Sequence, residues 1–504
     1  MSHNLFSQIS SRVSNPNASF MRMADGAVLS YGEAFALSAR YANVLRNKGV
    51  VIGDRVAVQV EKSPEAIILY LACLRVGAAF LPLNTAYTTA ELEYFIGDAS
   101  PHIFVCDPSK QDEIAPVCGG HGVASLLTLG AKGEGTLPEL AASMDDSYPT
   151  AAVEASDLAA MLYTSGTTGR SKGAMLTHAN LSSNARTLVE YWQFTKDDVL
   201  LHALPIFHTH GLFVATNVIL FAGASMIFLP KFDVEAIRRE LPGATTLMGV
   251  PTFYTRLVKE DWLNRDNTDH MRLFISGSAP LLAETHRQWT NRTGHHILER
   301  YGMTETNMIT SNPYDGERVP GSVGFPLPGV NVRITHLESG EILPANEVGM
   351  IEVKGPNVFK GYWRMPDKTR AEFRDDGYFI TGDVGVIDDR GYISIVGRNK
   401  DLVITGGYNV YPKEIETEID RMEGVDESAV IGVPHGDFGE AVTAVVVLQP
   451  GASLTEAAVL KALDGRLAKY KLPKRVLFDA ALPRNAMGKV IKADLRKKYE
   501  DLYK

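Results

Sequence analysis

From Tyr31 to Cys106 the apolar residues switch repeatedly between a helical and an extended period, and this rhythm constrains the fold most. Phe35, Leu37, Tyr41, Val44 and Leu45 mark one helix face, and Gly49 supplies a stop. Arg55 to Val60 alternates like a strand, Glu65 to Val76 reads as a helix ending at Gly77, and Phe80 to Leu83 is again strand-like. Thr88 and Glu91 form a capping box for the next helix, and Ile103 to Cys106 follows as a strand. Such alternation predicts a parallel sheet covered by helices, and it returns between about 157 and 310.

From about 320 to 397 short β-rich pieces (Val330 to Thr335, Met350 to Lys354, Tyr392 to Val396) sit among Gly-, Pro- and Asp-rich turns, which predicts a small antiparallel barrel or sandwich. Beyond the charged linker Gly397-Arg398-Asn399-Lys400-Asp401, helices at Pro412 to Met422 and Thr455 to Lys469 flank strands at Ser428 to Val433 and Val442 to Leu448. A chain of 504 residues is too long for one core. The expected class is α/β: a large N-terminal domain (1–397) of two layered β/α subdomains plus a small β-barrel, a hinge at 398–401, and a small mobile α+β C-terminal domain (402–504).

The net charge of −9, with no long run of one sign, gives no reason to expect a nucleic-acid partner. Cys73, Cys106 and Cys118 form no CxxC pair, which suits a reducing compartment. The first 24 residues carry Arg12, Arg22, serines and no acid, a weak transit-peptide flavour, but helical patterning already begins near Tyr31, so no targeting is expected. The uncharged stretch Gly211 to Pro230 has the length of a membrane span. It also holds Asn217, Gly223 and Ser225 and breaks into helix, turn and strand, so buried core is the better reading. The expectation is a soluble cytoplasmic protein with no membrane partner.

Thr164-Ser165-Gly166-Thr167-Thr168-Gly169-Arg170-Ser171-Lys172-Gly173 is the strongest local signal. Small residues let backbone N–H groups approach a polyphosphate, hydroxyls add donors, and Lys172 adds charge. The spacing is not that of a Walker loop, and alone the segment could be a flexible Ser/Thr/Gly loop. In Tyr301-Gly302-Met303-Thr304-Glu305 an aromatic can stack on a base, a hydroxyl can reach a phosphate and a carboxylate can hold Mg²⁺. Asp383, in Thr381-Gly382-Asp383, can accept both hydroxyls of a ribose. Arg398, Lys400 and Lys489, the last in Pro483-Arg-Asn-Ala-Met-Gly488-Lys489-Val490, read singly as solvated surface charges.

In this order and at these separations the motifs, together with Phe80-Leu-Pro-Leu-Asn84, Ser276-Gly-Ser278-Ala-Pro280 and Gly406-Gly-Tyr408-Asn409, resemble the adenylate-forming superfamily of acyl-CoA synthetases, adenylation domains and luciferases. The resemblance covers essentially the whole chain. It implies ATP, Mg²⁺ and coenzyme A as co-substrates and cofactor, and an acyl-adenylate as intermediate. It implies that Thr164 to Gly173 holds the β- and γ-phosphates, that Ser278, Ala279, Pro280 and Tyr301 surround adenine, and that Glu299, Arg300, Gly302 and Met303 line the nucleotide. It further implies that Thr304 contacts the α-phosphate, that Glu305 binds Mg²⁺, that Asp383 and Arg398 hold the ribose, and that Lys489 bridges carboxylate and α-phosphate. Lys400 would be the hinge of the small domain, and Gly406, Gly407 and Tyr408 part of the pantetheine tunnel. Relatives are often controlled by acetylation of the lysine matching Lys489, which implies an acetyltransferase and a deacetylase as partners.

Pro205-Ile-Phe207-His208-Thr209-His210-Gly211 matches the segment that walls the family's acyl pocket. Amino-acid-activating relatives carry an aspartate where His208 stands, so an amino-acid substrate is disfavoured. His208 and His210 have no further ligands grouped with them, which argues against zinc. Arg256 falls where relatives line the deep pocket; an unpaired guanidinium beside a fatty tail would be costly, and a second substrate carboxylate would satisfy it. The alternative is an outward-facing arginine in a weak ion pair. With Phe325-Pro-Leu-Pro-Gly329, this local sequence resembles malonyl-CoA synthetases. That implies Arg256 on the distal carboxylate of malonate with Ser278 nearby, and Thr209 and Met308 deciding whether methylmalonate fits. The alternatives are a synthetase for a monocarboxylic fatty or aryl acid, and a catalytically inactive binding protein, the latter disfavoured by Lys489, Glu305 and Thr304.

Overall fold

The computed structural model describes residues 2–164, 171–406, 408–485 and 488–504. The first β/α stretch builds a seven-stranded sheet in the order 361–362, 172–177, 158–164, 79–82, 55–59, 103–106, 125–128. Its centre is parallel, with Val56 beside both Phe80 and Ile103; the pairings of 172–177 are antiparallel. Ala79–Pro82 and Ile103–Cys106 are buried throughout, as strands with helices on both faces must be. The predicted Thr88–Glu91 capping box starts helix Thr89–Ala99, and Gly77 ends Pro64–Val76 in the left-handed conformation.

The second stretch builds a nine-stranded sheet, parallel from 19–23 through 225–228, 199–202, 246–249 and 273–276 to 298–303, with antiparallel pairs at both edges. The uncharged segment divides as expected: a π-helical turn His210–Thr216, helix Asn217–Ala222, a turn at Gly223, and strand Ser225–Phe228. Among the described residues no helix is long and apolar enough to cross a membrane.

Asn331–Thr335, Gly349–Lys354, Phe379–Ile387 and Ile393–Arg398 form a four-stranded antiparallel sheet. Among the described residues its outer strands do not pair with each other. A 3₁₀ turn, Asn399–Asp401, leads to the C-terminal sheet, ordered 408–410, 403–405, 439–448, 425–435 with 475–478 beside 439–448. This unit has an apolar cluster of its own around Val403, Ile415, Val430 and Val459. Its helix Glu456–Leu463 stops short of the expected Lys469, because Asp464 leaves the helical conformation and Gly465 turns left-handed at φ +80°.

Candidate active site

Strand Leu298–Met303 turns through 304–306 into Asn307–Ser311. Tyr301 on that strand donates its hydroxyl to Asp383 Oδ2 at 2.6 Å, and Arg398 Nε lies 3.2 Å from Oδ1. Asp383 and Arg398 are register partners, so adjacent antiparallel strands bring together the residues expected at ribose and base. Ser278, in the turn after strand Leu273–Ser276, adopts φ +72°, a strained conformation for a residue with a side chain; beside it Ala279 is partly exposed and Pro280 exposed. Glu299 does not follow the expectation of a nucleotide contact. Its Oε1 is taken inside the fold by His286 Nδ1 at 3.0 Å and the Gly321 N–H at 3.1 Å.

Thr164 and Lys172 face each other across an antiparallel pair, in the strands that precede and follow the Ser/Thr/Gly segment. Ser165, Gly166, Thr167, Thr168 and Gly169 lie outside the described residues. Lys172 Nζ is 3.1 Å from Glu372 Oε1. Glu305 is buried, accepts from the Tyr362 hydroxyl at 3.0 Å, and has its pKa raised by that burial. Thr304 beside it is partly exposed in the same turn. Among the described residues no group of three or more His, Cys, Asp or Glu could hold a metal. Glu305 fits Mg²⁺ in that ion's usual manner, one carboxylate with the other ligands from phosphates and water.

Successive strand residues point to opposite faces, so Arg300 is turned away from Tyr301. Its guanidinium is buried, and Nε and one terminal nitrogen have no hydrogen-bond partner among the described residues. It lies so flat on Gly277 that a Cβ there would collide with it. Burial pushes its pKa down to about 9. His210 stands close by, its Nδ1 3.1 Å from Ser278 Oγ and its Nε2 without a partner among the described residues. Burial, with the charge of Arg300, keeps His210 neutral, and burial pushes His208 down to about 4. His208 Nε2 and Thr209 Oγ1 are also buried without a hydrogen-bond partner among the described residues. Met308 packs behind, its backbone held by Asn184 and Asn357.

Arg256 requires a correction. It is exposed on helix Pro251–Leu257, its guanidinium 5.9 Å from the centre of the Phe232 ring. That short helix buries Phe253, Tyr254 and Leu257, which leaves position 256 on the open face. The buried guanidinium with unpartnered nitrogens, among the described residues, is that of Arg300, which was expected to line the nucleotide. Thr252, one turn before Arg256 on the same face, meets the loop of Lys489: a Cβ on Gly488 would lie 3.3 Å from Thr252 Cγ2.

Lys489 is partly buried among Arg398, Asp383, Asp401 and Lys400; burial first, then Arg398, pulls its pKa down to about 8. The other surface of the small unit points to solvent. Tyr408 is 58% exposed and stacks on Tyr470 at 4.7 Å, and Gly406 donates its N–H to Phe438 O, with Lys474 over the Phe438 ring. Gly407 lies outside the described residues. Tyr362 and Glu372 escaped the sequence reading, because nothing local sets their short segment apart.

Layered β/α units joined to a small unit that inserts one lysine beside a ribose-type carboxylate define an acid-activating, nucleotide-dependent enzyme class. Residues 11–363 match the AMP-binding enzyme family and residues 414–489 its C-terminal domain, and the chain belongs to that family. It is 36% identical to a malonate–CoA ligase of Arabidopsis thaliana over 95% of this chain and 86% of the relative. It superposes on ATP-bound MatB from Rhodopseudomonas palustris with TM-score 0.98, at 63% identity over 100% of both chains. The apo structure of that MatB, at the same identity and coverage, gives 0.87, so the arrangement here is closer to the nucleotide-bound one.

Proposed function

We propose that the chain ligates malonate to coenzyme A through malonyl-AMP, releasing AMP and pyrophosphate. The observation that supports this reading is the set of buried polar atoms at Arg300, His210, His208 and Thr209 that have no partner among the described residues. An apolar tail would leave them all unsatisfied, whereas a second carboxylate pairs with the guanidinium fork. Arg300 therefore takes the distal carboxylate, with Ser278 beside it; Arg256 stands at the rim.

ATP lies with its ribose on Asp383 and Arg398 and its phosphates toward Lys172 and the 164–173 loop; Thr304 donates to the α-phosphate. Glu305 would hold Mg²⁺, which would supply neutralisation of phosphate charge. The reacting carboxylate attacks the α-phosphorus and the bond to pyrophosphate breaks. Two unit charges about 4 Å apart repel by roughly 4 kcal/mol at an effective dielectric near 20, and Lys489 between them offsets this. In the second step the thiolate of coenzyme A attacks the acyl carbon and AMP leaves. Lys489 must withdraw first, and rotation at Lys400 brings up Gly406, Gly407 and Tyr408, with Tyr470, Phe438 and Lys474 beside them. We place the protein in the cytoplasm, on the ground that its cysteines are free and buried. An acetyltransferase and a deacetylase acting on Lys489 belong to this reading, and the withdrawn position is the one that presents the lysine.

Pyrophosphate release with malonate against butyrate, with and without coenzyme A, and mass spectrometry of the thioester test the function. Butyrate turning over as well as malonate would favour the monocarboxylic reading. Thr209→Gly makes room beside the central carbon, so ethylmalonate should gain relative to malonate by about 1–3 kcal/mol, a shift in preference rather than a switch. No gain would displace Thr209 and Met308 from the pocket. Lys400→Pro fixes φ and removes an N–H in the 399–401 turn. Adenylation should survive and thioester formation from supplied malonyl-AMP should collapse; equal loss of both would show that the pivot lies elsewhere.

A further inference from the structure

We propose that Tyr362 is the positioning residue that ties the metal carboxylate Glu305 to the phosphate-binding Lys172, with Glu372 as the anion that Lys172 releases when a polyphosphate arrives. The inference rests on the roles given above to Glu305 and Lys172. The two-residue strand Gly361–Tyr362 adds to the edge formed by 172–177, with Tyr362 opposite Ala174, so the ring stands beside Lys172. It is 2% exposed and packs edge-on against Phe359 at 4.8 Å, while its N–H donates to Thr369 Oγ1 at 2.9 Å. Phe359 also donates its N–H to the backbone oxygen of Glu305 at 2.7 Å, so one loop grips both partners.

The phenol reaches two carboxylates, Glu305 Oε1 at 3.0 Å and Glu372 Oε2 at 2.6 Å. Lys172 Nζ sits 4.1 Å from the ring centre, on the aromatic face that attracts cations, and 3.1 Å from Glu372 Oε1. Lys368 lies 2.8 Å from that same oxygen, so Glu372 keeps a cationic partner after Lys172 leaves. One side chain thus orients a carboxylate through its hydroxyl and an ammonium through its ring. Groups that orient a metal ligand from behind in this way commonly change metal affinity about 10–100-fold when lost.

Y362F separates the two roles, since it keeps the ring and removes the hydroxyl. The Mg²⁺ concentration for half-maximal pyrophosphate release should rise about tenfold, and calorimetric binding of MgATP should weaken in step. ATP binding in EDTA and thioester formation from supplied malonyl-AMP should not change. E372Q retains an acceptor for the phenol but not the charge, so metal-free ATP should bind about threefold tighter, the scale of a partly exposed ion pair. E305Q is the reference. If E305Q leaves the Mg²⁺ dependence intact, the metal assignment fails; if E305Q shifts it and Y362F does not, the role of Tyr362 is overturned. Weaker metal-free ATP binding in E372Q would overturn the role of Glu372. Should Y362F not fold, T369V, which removes the acceptor of the Tyr362 N–H, should give the same split in smaller measure, and no split there overturns the proposal.

Discussion

Arg300→Met is expected to lower kcat/KM for malonate by roughly 10²- to 10⁴-fold while ATP binding in the absence of acid stays unchanged. Removing one partner of a buried charge pair commonly costs about 3–5 kcal/mol, because the other charge is left in a poor solvent. Methionine of similar length fills the space apolarly, so butyrate should become the better acid. Arg256→Ala should cost far less, roughly tenfold at most, because an exposed guanidinium interacts through water. Steady-state kinetics on both acids, with each variant, check the ordering. Normal malonate kinetics in Arg300→Met, with a collapse in Arg256→Ala, would move the distal carboxylate to the rim.

The other large effect belongs to Lys489. Lys489→Gln, or acetylation of Lys489, should slow adenylation by roughly 10²–10³-fold, the scale of losing one donor aimed at developing charge. Thioester formation from supplied malonyl-AMP should continue, because that step uses the opposite surface of the small unit. The amine has its pKa lowered to about 8, by burial first and then by Arg398, and only its protonated form offsets the repulsion. The kcat/KM for adenylation should therefore hold below about pH 8 and fall above it. Bound anions favour the charged amine, so the fall in kcat should come at higher pH. Lys489→Gln should lose this limb altogether. The two half-reactions measured separately across pH test the assignment, and full adenylation by acetylated enzyme would remove Lys489 from the chemistry.

Much of the scaffold was legible in local sequence. The Thr88–Glu91 box, the Gly77 stop and the division of Gly211 to Pro230 into helix, turn and strand appear where the residues indicated. Such signals are written by residues three or four apart and need no partner from elsewhere in the chain. The small β-rich region was less legible. Turn residues announce short antiparallel strands, but whether the first and last pair depends on twist and on what covers the edge. Apolar periodicity also ran past a local stop: Asp464 leaves the helical conformation and Gly465 turns left-handed, which ends the helix at Leu463.

The order and spacing of the motifs by themselves pointed to the family, because Thr164, Lys172, Tyr301, Glu305, Asp383 and Lys489, ambiguous one by one, together resemble it. Only the tertiary structure decided which arginine is buried. Arg256 and Arg300 both stand in pocket-forming segments, and a sequence does not say which guanidinium loses its water. Strand alternation turns Arg300 inward beneath Gly277, and helix geometry leaves Arg256 outside. The Tyr362 and Glu372 contacts to Glu305 and Lys172 likewise exist only because an edge strand returns to 172–177 after nearly two hundred residues. Burial and long-range pairing set a charge's environment, and both are properties of the folded chain.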